Sequence, residues 1–209
     1  NKAQSKNSKS FLLGRDFQIK MMPDVIEYQD SKNIYNFALR PLVEAYDIGV
    51  AVQAIQLLQL DLDRKKTEEA INETRIPGRY DVIQTRPEII MDGAHNLQAM
   101  ENLLDLVRKK KKGQIYVLLG MMKDKDLGPI TRLFKNEKVT LTRIDYPRAA
   151  RLEDFPKEAQ EKFKYEENFE EAYTSLKNKL QVDDMLLVTG SFYLVGAVLN
   201  YCKRGKDES

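Results

Sequence analysis

From residue 85 onward the chain alternates short apolar runs with helical patterns. That rhythm narrows the folds open to it more than any other feature. Glu88–Met91, Gln114–Leu119, Val139–Ile144 and Met185–Val188 read as strands, and Lys164–Tyr165 as a further short one. Leu97–Lys110, Leu127–Phe134, Leu152–Lys162, Asn168–Leu180 and Tyr193–Lys203 read as the helices between and after them. Such alternation predicts an α/β fold: a mainly parallel sheet covered by helices on both faces.

The first part of the chain has a different pattern. Phe11–Lys20, Val25–Tyr28 and Asn33–Arg40 alternate apolar and polar residues between turn-forming segments, which predicts a β-meander. Val43–Leu60 carries Val43, Ile48, Val52, Ile55 and Leu58 at helical spacing, and Arg64–Thr74 reads as a shorter charged helix. Pro77-Gly78 breaks that pattern before a short strand over Arg79–Gln84. Residues 1–10 are polar and Lys/Ser-rich and read as disordered. The change of rhythm puts a domain boundary near Gln84–Arg86, dividing the chain into residues 1–84 and 85–209.

Composition removes several classes of function. With 34 Lys+Arg against 32 Asp+Glu the net charge is +2, too balanced to argue for nucleic acid. A single cysteine, Cys202, and a single histidine, His95, rule out a disulfide within the chain and a zinc site rich in Cys or His. Cys202 reads as a small buried hydrophobe. No apolar stretch reaches the ~18 residues of a membrane span, and the N-terminal residues lack the apolar core of a signal peptide. The expectation is a cytoplasmic protein without a membrane or nucleic-acid partner.

Polar clusters follow the predicted strands. They are Asp92-Gly93-Ala94-His95-Asn96, Gly120 through Asp126, Tyr146-Pro147-Arg148 and Thr189-Gly190-Ser191. Open α/β sheets bind ligands at the C-terminal ends of their strands, and a helix N-terminus offers free N–H groups to an anion. Any one cluster could be ordinary turn chemistry, and Asn96 and Ser191 are good N-caps in their own right. Four on one rim favour a site. Arg79, after Pro77-Gly78, reads either as a phosphate-reaching fork or as a surface ion pair. Lys109–Lys112 reads as a solvated helix C-terminus rather than an RNA contact. Met121-Met122 reads as core or pocket wall. The phosphate-cradling pattern Gly-x-x-x-x-Gly-Lys-Ser/Thr does not occur in the 209 residues.

Five motifs, in order, resemble the C-terminal part of folylpolyglutamate synthase, often bifunctional with dihydrofolate synthase, in the Mur ligase superfamily. They are Pro77-Gly78-Arg79, Asp92-Gly93-Ala94-His95-Asn96, Gly120-Met121-Met122-Lys123-Asp124-Lys125-Asp126, Pro147-Arg148-Ala149 and Thr189-Gly190-Ser191-Phe192-Tyr193-Leu194-Val195-Gly196. The resemblance is dense from Ile76 to the end and looser over Phe11–Leu60. It implies a Rossmann-like C-terminal domain of the Mur ligase type that binds glutamate, preceded by the end of the central ATPase domain. It further implies a tetrahydrofolate:L-glutamate γ-ligase, ADP-forming, that uses ATP and Mg²⁺; dihydrofolate synthase activity remains open. ATP would convert the γ-carboxylate of folate to an acyl phosphate, which the amino group of L-glutamate attacks.

Carried over by motif, the resemblance makes Arg79 and Asp92 the nucleotide contacts. It places His95, Asn96 and Ser191 around the incoming glutamate, with Arg79 and His95 as the catalytic pair, and it gives the Lys123–Asp126 loop no step. The phosphate loop, the Mg²⁺ ligands and the folate-binding region are expected upstream of residue 1, with no metal ligand in this chain. These residues alone are expected to be a truncated and inactive part of the enzyme. Two departures stand out: Leu97 replaces the Pro that often follows the motif's Asn, and Tyr46–Ala51 replaces a His-Gln-x-x-Asn-Ala pattern, with Val50 where the Asn would be. The alternatives are another Mur-type amino-acid ligase of peptidoglycan synthesis, or a glutamate- or nucleotide-binding module without chemistry.

Overall fold

The computed structural model describes residues 5–60 and 63–207, with side chains as far as Arg204. The chain forms two compact units, 1–75 and 76–209. The first contains strands β1 (Phe17–Met21), β2 (Val25–Asp30) and β3 (Ile34–Ala38), then helices α1 (Leu42–Leu57) and α2 (Arg64–Glu73). The strands pair antiparallel in the order β1-β2-β3, the predicted meander. Alternation drives the packing: Phe17, Ile26, Tyr28, Tyr35 and Phe37 are buried on one face, with Ala45 and Val52 of α1 against them. Side chains of α2 cover the free edge of β3. Glu68 accepts the Asn36 N–H at 2.8 Å and Asn72 accepts the Ala38 N–H at 2.8 Å, which blocks further strand pairing.

The predicted strand over Phe11–Lys20 begins only at Phe17. Before it Leu12–Asp16 fold into a turn: the Asp16 N–H reaches the Leu12 carbonyl at 2.9 Å and the Asp16 carboxylate takes the Leu12 N–H at 2.7 Å. The disorder expected over residues 1–10 falls in part on residues 1–4, outside the described residues; Lys6–Asn7 form a turn.

The second unit is a six-stranded sheet in the order β4-β5-β9-β6-β7-β8. Its strands are β4 (Asp81–Thr85), β5 (Glu88–Met91), β6 (Ile115–Leu119), β7 (Lys138–Arg143), β8 (Lys164–Asn168) and β9 (Met185–Thr189). β5, β9, β6, β7 and β8 are parallel, whereas β4 pairs antiparallel with β5. Helices α3 (Leu97–Lys110), α4 (Leu127–Leu133), α5 (Lys157–Lys162), α6 (Phe169–Lys177) and α7 (Phe192–Asp207) complete it. From β5 to β8 the chain moves across the sheet in one direction, and β8 to β9 returns. Right-handed crossovers therefore put α6 on the opposite face from α3, α4 and α5. The core shows this: Ala172, Tyr173 and Leu176 of α6 pack with Leu194, Val195 and Val198 of α7 on Ile89, Met91, Leu118, Leu186 and Val188. The alternate strand residues Ile90, Val117, Leu119, Leu141 and Leu187 are buried as well. Burial on both faces is why these strands read as continuous apolar runs.

The division falls at Arg75/Ile76, not near residue 85. The change of rhythm at Thr85 marks where the parallel strands begin, but Asp81–Thr85 already pairs with Glu88–Met91 in the same sheet. The helix predicted over Leu152–Lys162 is likewise two pieces, a 3₁₀ turn over Leu152–Asp154 and α5, because Pro156 sits at the N-cap and cannot donate into a continuous helix. Leu97 opens α3 without the proline, the helix start being fixed instead by the Asn96 side chain. No helix among the described residues is long and apolar enough to cross a membrane.

Candidate functional site

Five parallel strands put their C-terminal ends on one rim of the second unit. The reversed strand β4 starts there, so the segment Gly78–Tyr80 reaches the same rim. Main-chain hydrogen bonds join the loops. The Gly93 N–H binds the Gly78 carbonyl at 2.8 Å, Gly190 binds Ala94 at 3.1 Å, and Gly120 binds Thr189 at 3.1 Å. Further along, Lys123 binds the Arg148 carbonyl at 2.9 Å and Ala150 binds Met121 at 2.8 Å. All four polar clusters and Arg79 therefore belong to one continuous frame. Gly190 is required there: its φ is +102°, and a Cβ would stand 2.7 Å from the Gly120 carbonyl oxygen.

Asp92 is 5% exposed, and its carboxylate joins the two sides of the rim. One oxygen accepts the Tyr80 N–H at 2.9 Å and the other the Ala94 N–H at 2.8 Å. Tyr80, at φ +41°, is held in a conformation side chains rarely adopt. Burial pushes the Asp92 carboxyl above its ordinary range, against the pull of those two N–H groups and of Arg79 and His95. The ionised form is thus disfavoured in the fold. The group's contribution to stability is complete below the ordinary carboxylate pKa and is lost as pH rises through the elevated one. Asp92→Asn turns one acceptor into a donor facing a buried N–H. It is expected to cost about 1–3 kcal/mol in urea unfolding and to remove this pH dependence. An unchanged midpoint would contradict the role.

Arg79 is exposed, and its guanidinium lies 4.8 Å from the centroid of the Phe192 ring. His95 approaches the same ring edge-on at 6.1 Å. Gly93 lies against it, since a Cβ there would come within 2.5 Å of two ring atoms. Phe192 is thus a shelf, 40% exposed, that positions the only histidine and the rim arginine together. The His95 Nδ1 lies 2.9 Å from the Gly93 carbonyl. A carbonyl only accepts, so Nδ1 carries the proton and Nε2 is left for a ligand. Asn96 is exposed and caps α3, accepting the Ala99 N–H at 2.9 Å. Ser191 is 2% exposed and accepts the Leu194 N–H at 3.1 Å at the start of α7. Both side-chain oxygens therefore do N-cap work, and they set two helix N-termini on the rim.

Of the residues singled out in the sequence, Arg79 and His95 come together on Phe192, Asp92 lies within reach of their charges, and Asn96 and Ser191 begin the two helices. Phe192 stands within the Thr189–Gly196 motif but received no role from the sequence. Val50 is 58% exposed on α1. Helix α3 ends at Lys110, whose ammonium binds the Tyr80 hydroxyl at 3.1 Å and Glu88 at 3.0 Å, so this member of the lysine run is tied into the fold.

Comparison with known proteins gives a consistent result. A family model described as Mur ligase, glutamate ligase domain, matches residues 78–192. The dihydrofolate synthase/folylpolyglutamate synthase of Escherichia coli K12 is 26% identical over 162 residues, covering 76% of this chain and 38% of that protein. Among solved structures, Escherichia coli FolC in complex with ADP aligns over 98% of this chain and 50% of its own, with a TM-score of 0.84 and 21% identity. A bifunctional folylpolyglutamate synthase/dihydrofolate synthase with Mn, AMPPNP and L-glutamate bound aligns over 96% of this chain and 49% of its own. The TM-score is 0.79 and the identity 18%. At such identities the structural likeness establishes the fold. The chain spans half the length, or less, of these relatives.

Proposed function

This chain belongs to the Mur ligase family through its glutamate ligase domain. From that premise we propose that it forms the amino-acid side of an ATP-dependent ligase joining L-glutamate to the γ-carboxylate of a folate. The observation that carries the reading is the grouping of Arg79, His95 and Phe192 over Gly93, beside the N-termini of α3 and α7.

A carboxylate has no leaving group until it is phosphorylated. The acceptor's γ-carboxylate oxygen takes the terminal phosphoryl of ATP and ADP departs. The glutamate ammonium first loses a proton; its amine nitrogen then attacks the acyl carbon, phosphate leaves, and the nitrogen gives up a second proton. Arg79 suits the phosphoryl group, whose charge its fork can meet bidentately. Asp92 acts as a positioning residue by holding the Tyr80 amide next to Arg79. The free Nε2 of His95 suits the ammonium of glutamate, and the N–H groups opening α3 and α7, set by Asn96 and Ser191, suit its carboxylates. Among the described residues no three His, Cys, Asp or Glu side chains are placed to hold a metal ion, so no step here is routed through Mg²⁺. The sequence holds no phosphate-cradling motif, and turnover is proposed to need residues beyond these 209.

The test is ADP release by the ligase carrying this chain, with and without folate and L-glutamate. Release that requires both supports the reading. Amide formation on a UDP-sugar peptide and not on folate would overturn it, as would turnover by the 209 residues alone for the dependence on further residues. His95→Ala is expected to raise KM for glutamate about 10-fold, the equivalent of one charged hydrogen bond, with kcat little changed.

A further inference from the structure

On the face of the sheet that α6 and α7 cover, β8 is the edge strand. Two helices about 10 Å across cover about 20 Å, whereas six strands at about 4.8 Å spacing span about 24 Å. A cavity of about 710 Å³ opens in the difference, between the outer side of α6 and β8. The register sets Tyr116 beside Lys138 and Thr140 beside Lys164, and partners in a parallel pair share a face. Helix α6 supplies Ser175 and Leu176, and Lys179 follows its end. Lys138 opens β7 and Lys164 opens β8. Three lysines therefore gather at the end of the strands opposite the rim. A strand of the length of β7 puts them roughly 16 Å from it.

Their charges are not neutralised. Among the described residues the Lys138 and Lys164 ammonium groups take part in no ion pair or hydrogen bond, and the Lys179 ammonium donates only to the Ser175 hydroxyl, at 3.0 Å. Glu137, next to Lys138, is held by Arg108 at 2.8 Å. Glu166 and Glu171 line the other end of the cavity, where each accepts from Asn168, at 3.2 and 3.1 Å. We propose that this cavity binds a phosphate monoester, with its phosphate on Lys138, Lys164 and Lys179 and its organic body against Tyr116, Thr140 and Leu176. An ammonium is a compact point charge with three donors, which suits a tetrahedral dianion. The anion also relieves the repulsion among three like charges. Tyr116 and Leu176 give the body an apolar wall, and the Thr140 residue, 7% exposed, lies in the floor with its hydroxyl. Glu166 and Glu171 accept from hydroxyls at the far end of such a body. Nothing in this assignment depends on the glutamate-ligase reading of the rim.

Calorimetric titration of the 209-residue chain with AMP, ribose 5-phosphate, inorganic phosphate and L-glutamate tests it. Both esters are expected to bind more tightly than inorganic phosphate or L-glutamate. Lys138→Ala and Lys164→Ala should each weaken them about 10-fold, the equivalent of one charged hydrogen bond. Ser175→Tyr, which keeps every lysine and fills the cavity, should weaken them as much. Lys111→Ala combined with Lys112→Ala, outside the cavity, should change binding less than about 2-fold. Tighter binding of AMP assigns the cavity to a nucleotide, and ribose 5-phosphate bound equally or better assigns it to a sugar phosphate; either supports the site. Inorganic phosphate or L-glutamate bound as tightly as the esters overturns it, as does a loss in the Lys111/Lys112 variant equal to that in Lys138→Ala. So does a wild-type chain that binds neither ester. Because Arg79 is read as a phosphate contact, each titration is repeated in Arg79→Ala. Binding lost there but kept in Lys138→Ala and Ser175→Tyr belongs to the rim, and the cavity site falls alone. Binding kept there but lost in Lys138→Ala supports the cavity whatever the rim does.

Discussion

Gly190→Ala is expected to destabilise the second unit by about 3–5 kcal/mol, from backbone strain of roughly 1–3 kcal/mol and overpacking of similar size. At φ +102° an alanine is strained before any contact is counted. Its methyl would also meet the Gly120 carbonyl oxygen at 2.7 Å, Leu119 Cδ1 at 2.8 Å and Met121 Cγ at 3.0 Å. The first of these is main chain held at the end of β6, so it cannot swing aside as a side-chain tip would. Domains have total stabilities of about 5–15 kcal/mol, so the variant should lose a large fraction of its stability and unfold at a clearly lower urea midpoint. Gly196 is the internal control. It lies within α7 with nothing within 4 Å of its missing Cβ, and alanine there should stabilise by about 0.5–1 kcal/mol. Urea unfolding of both variants checks the pair. A loss below about 1 kcal/mol at Gly190 would mean that the rim can open to admit a side chain.

Arg79→Ala is expected to lower kcat of the ligase carrying this chain about 100-fold or more, the usual consequence of removing a charged group aimed at developing phosphoryl charge. The fold gives the arginine little other employment. It is exposed, it forms no ion pair among the described residues, and it rests on the Phe192 ring. Its removal should therefore leave the unfolding midpoint within about 0.5 kcal/mol. Phe192→Ala should give a weaker version of the same defect, because Arg79 would keep its charge and lose its shelf. Single-turnover measurement of acyl phosphate formation distinguishes the steps. A normal rate of phosphorylation in Arg79→Ala, with slow amide formation, would move the arginine to the second half of the reaction.

Much of the second unit is legible in the sequence because burial on both faces leaves strands no polar positions. Glu88–Met91 and Met185–Val188 stand out between helical patterns for that reason. The rim is legible because turns at strand ends need glycine and small polar residues, and those residues are also where ligands bind. What the sequence hides is direction and partnership. Nothing in Arg79–Gln84 says that the strand runs against its neighbours, yet that reversal is what brings Arg79 to the rim. Asn96 and Ser191 show the limit of motif reading: each stands where a ligand contact is expected, and each has its oxygen engaged in capping a helix. Phe192 shows the opposite failure, an apolar residue whose role comes from the glycine beneath it.

Apart from those to the Asp92 carboxylate, the hydrogen bonds that join the rim loops run from main chain to main chain. They ask for a glycine at a few points and are indifferent to most of the side chains displayed above them. A change at His95, Lys123 or Arg148 leaves every one of those bonds in place. Drift at the mouth of this sheet therefore alters what is recognised before it alters whether the sheet holds. Selection can re-specify the ligand one side chain at a time, on a scaffold that does not need to be rebuilt.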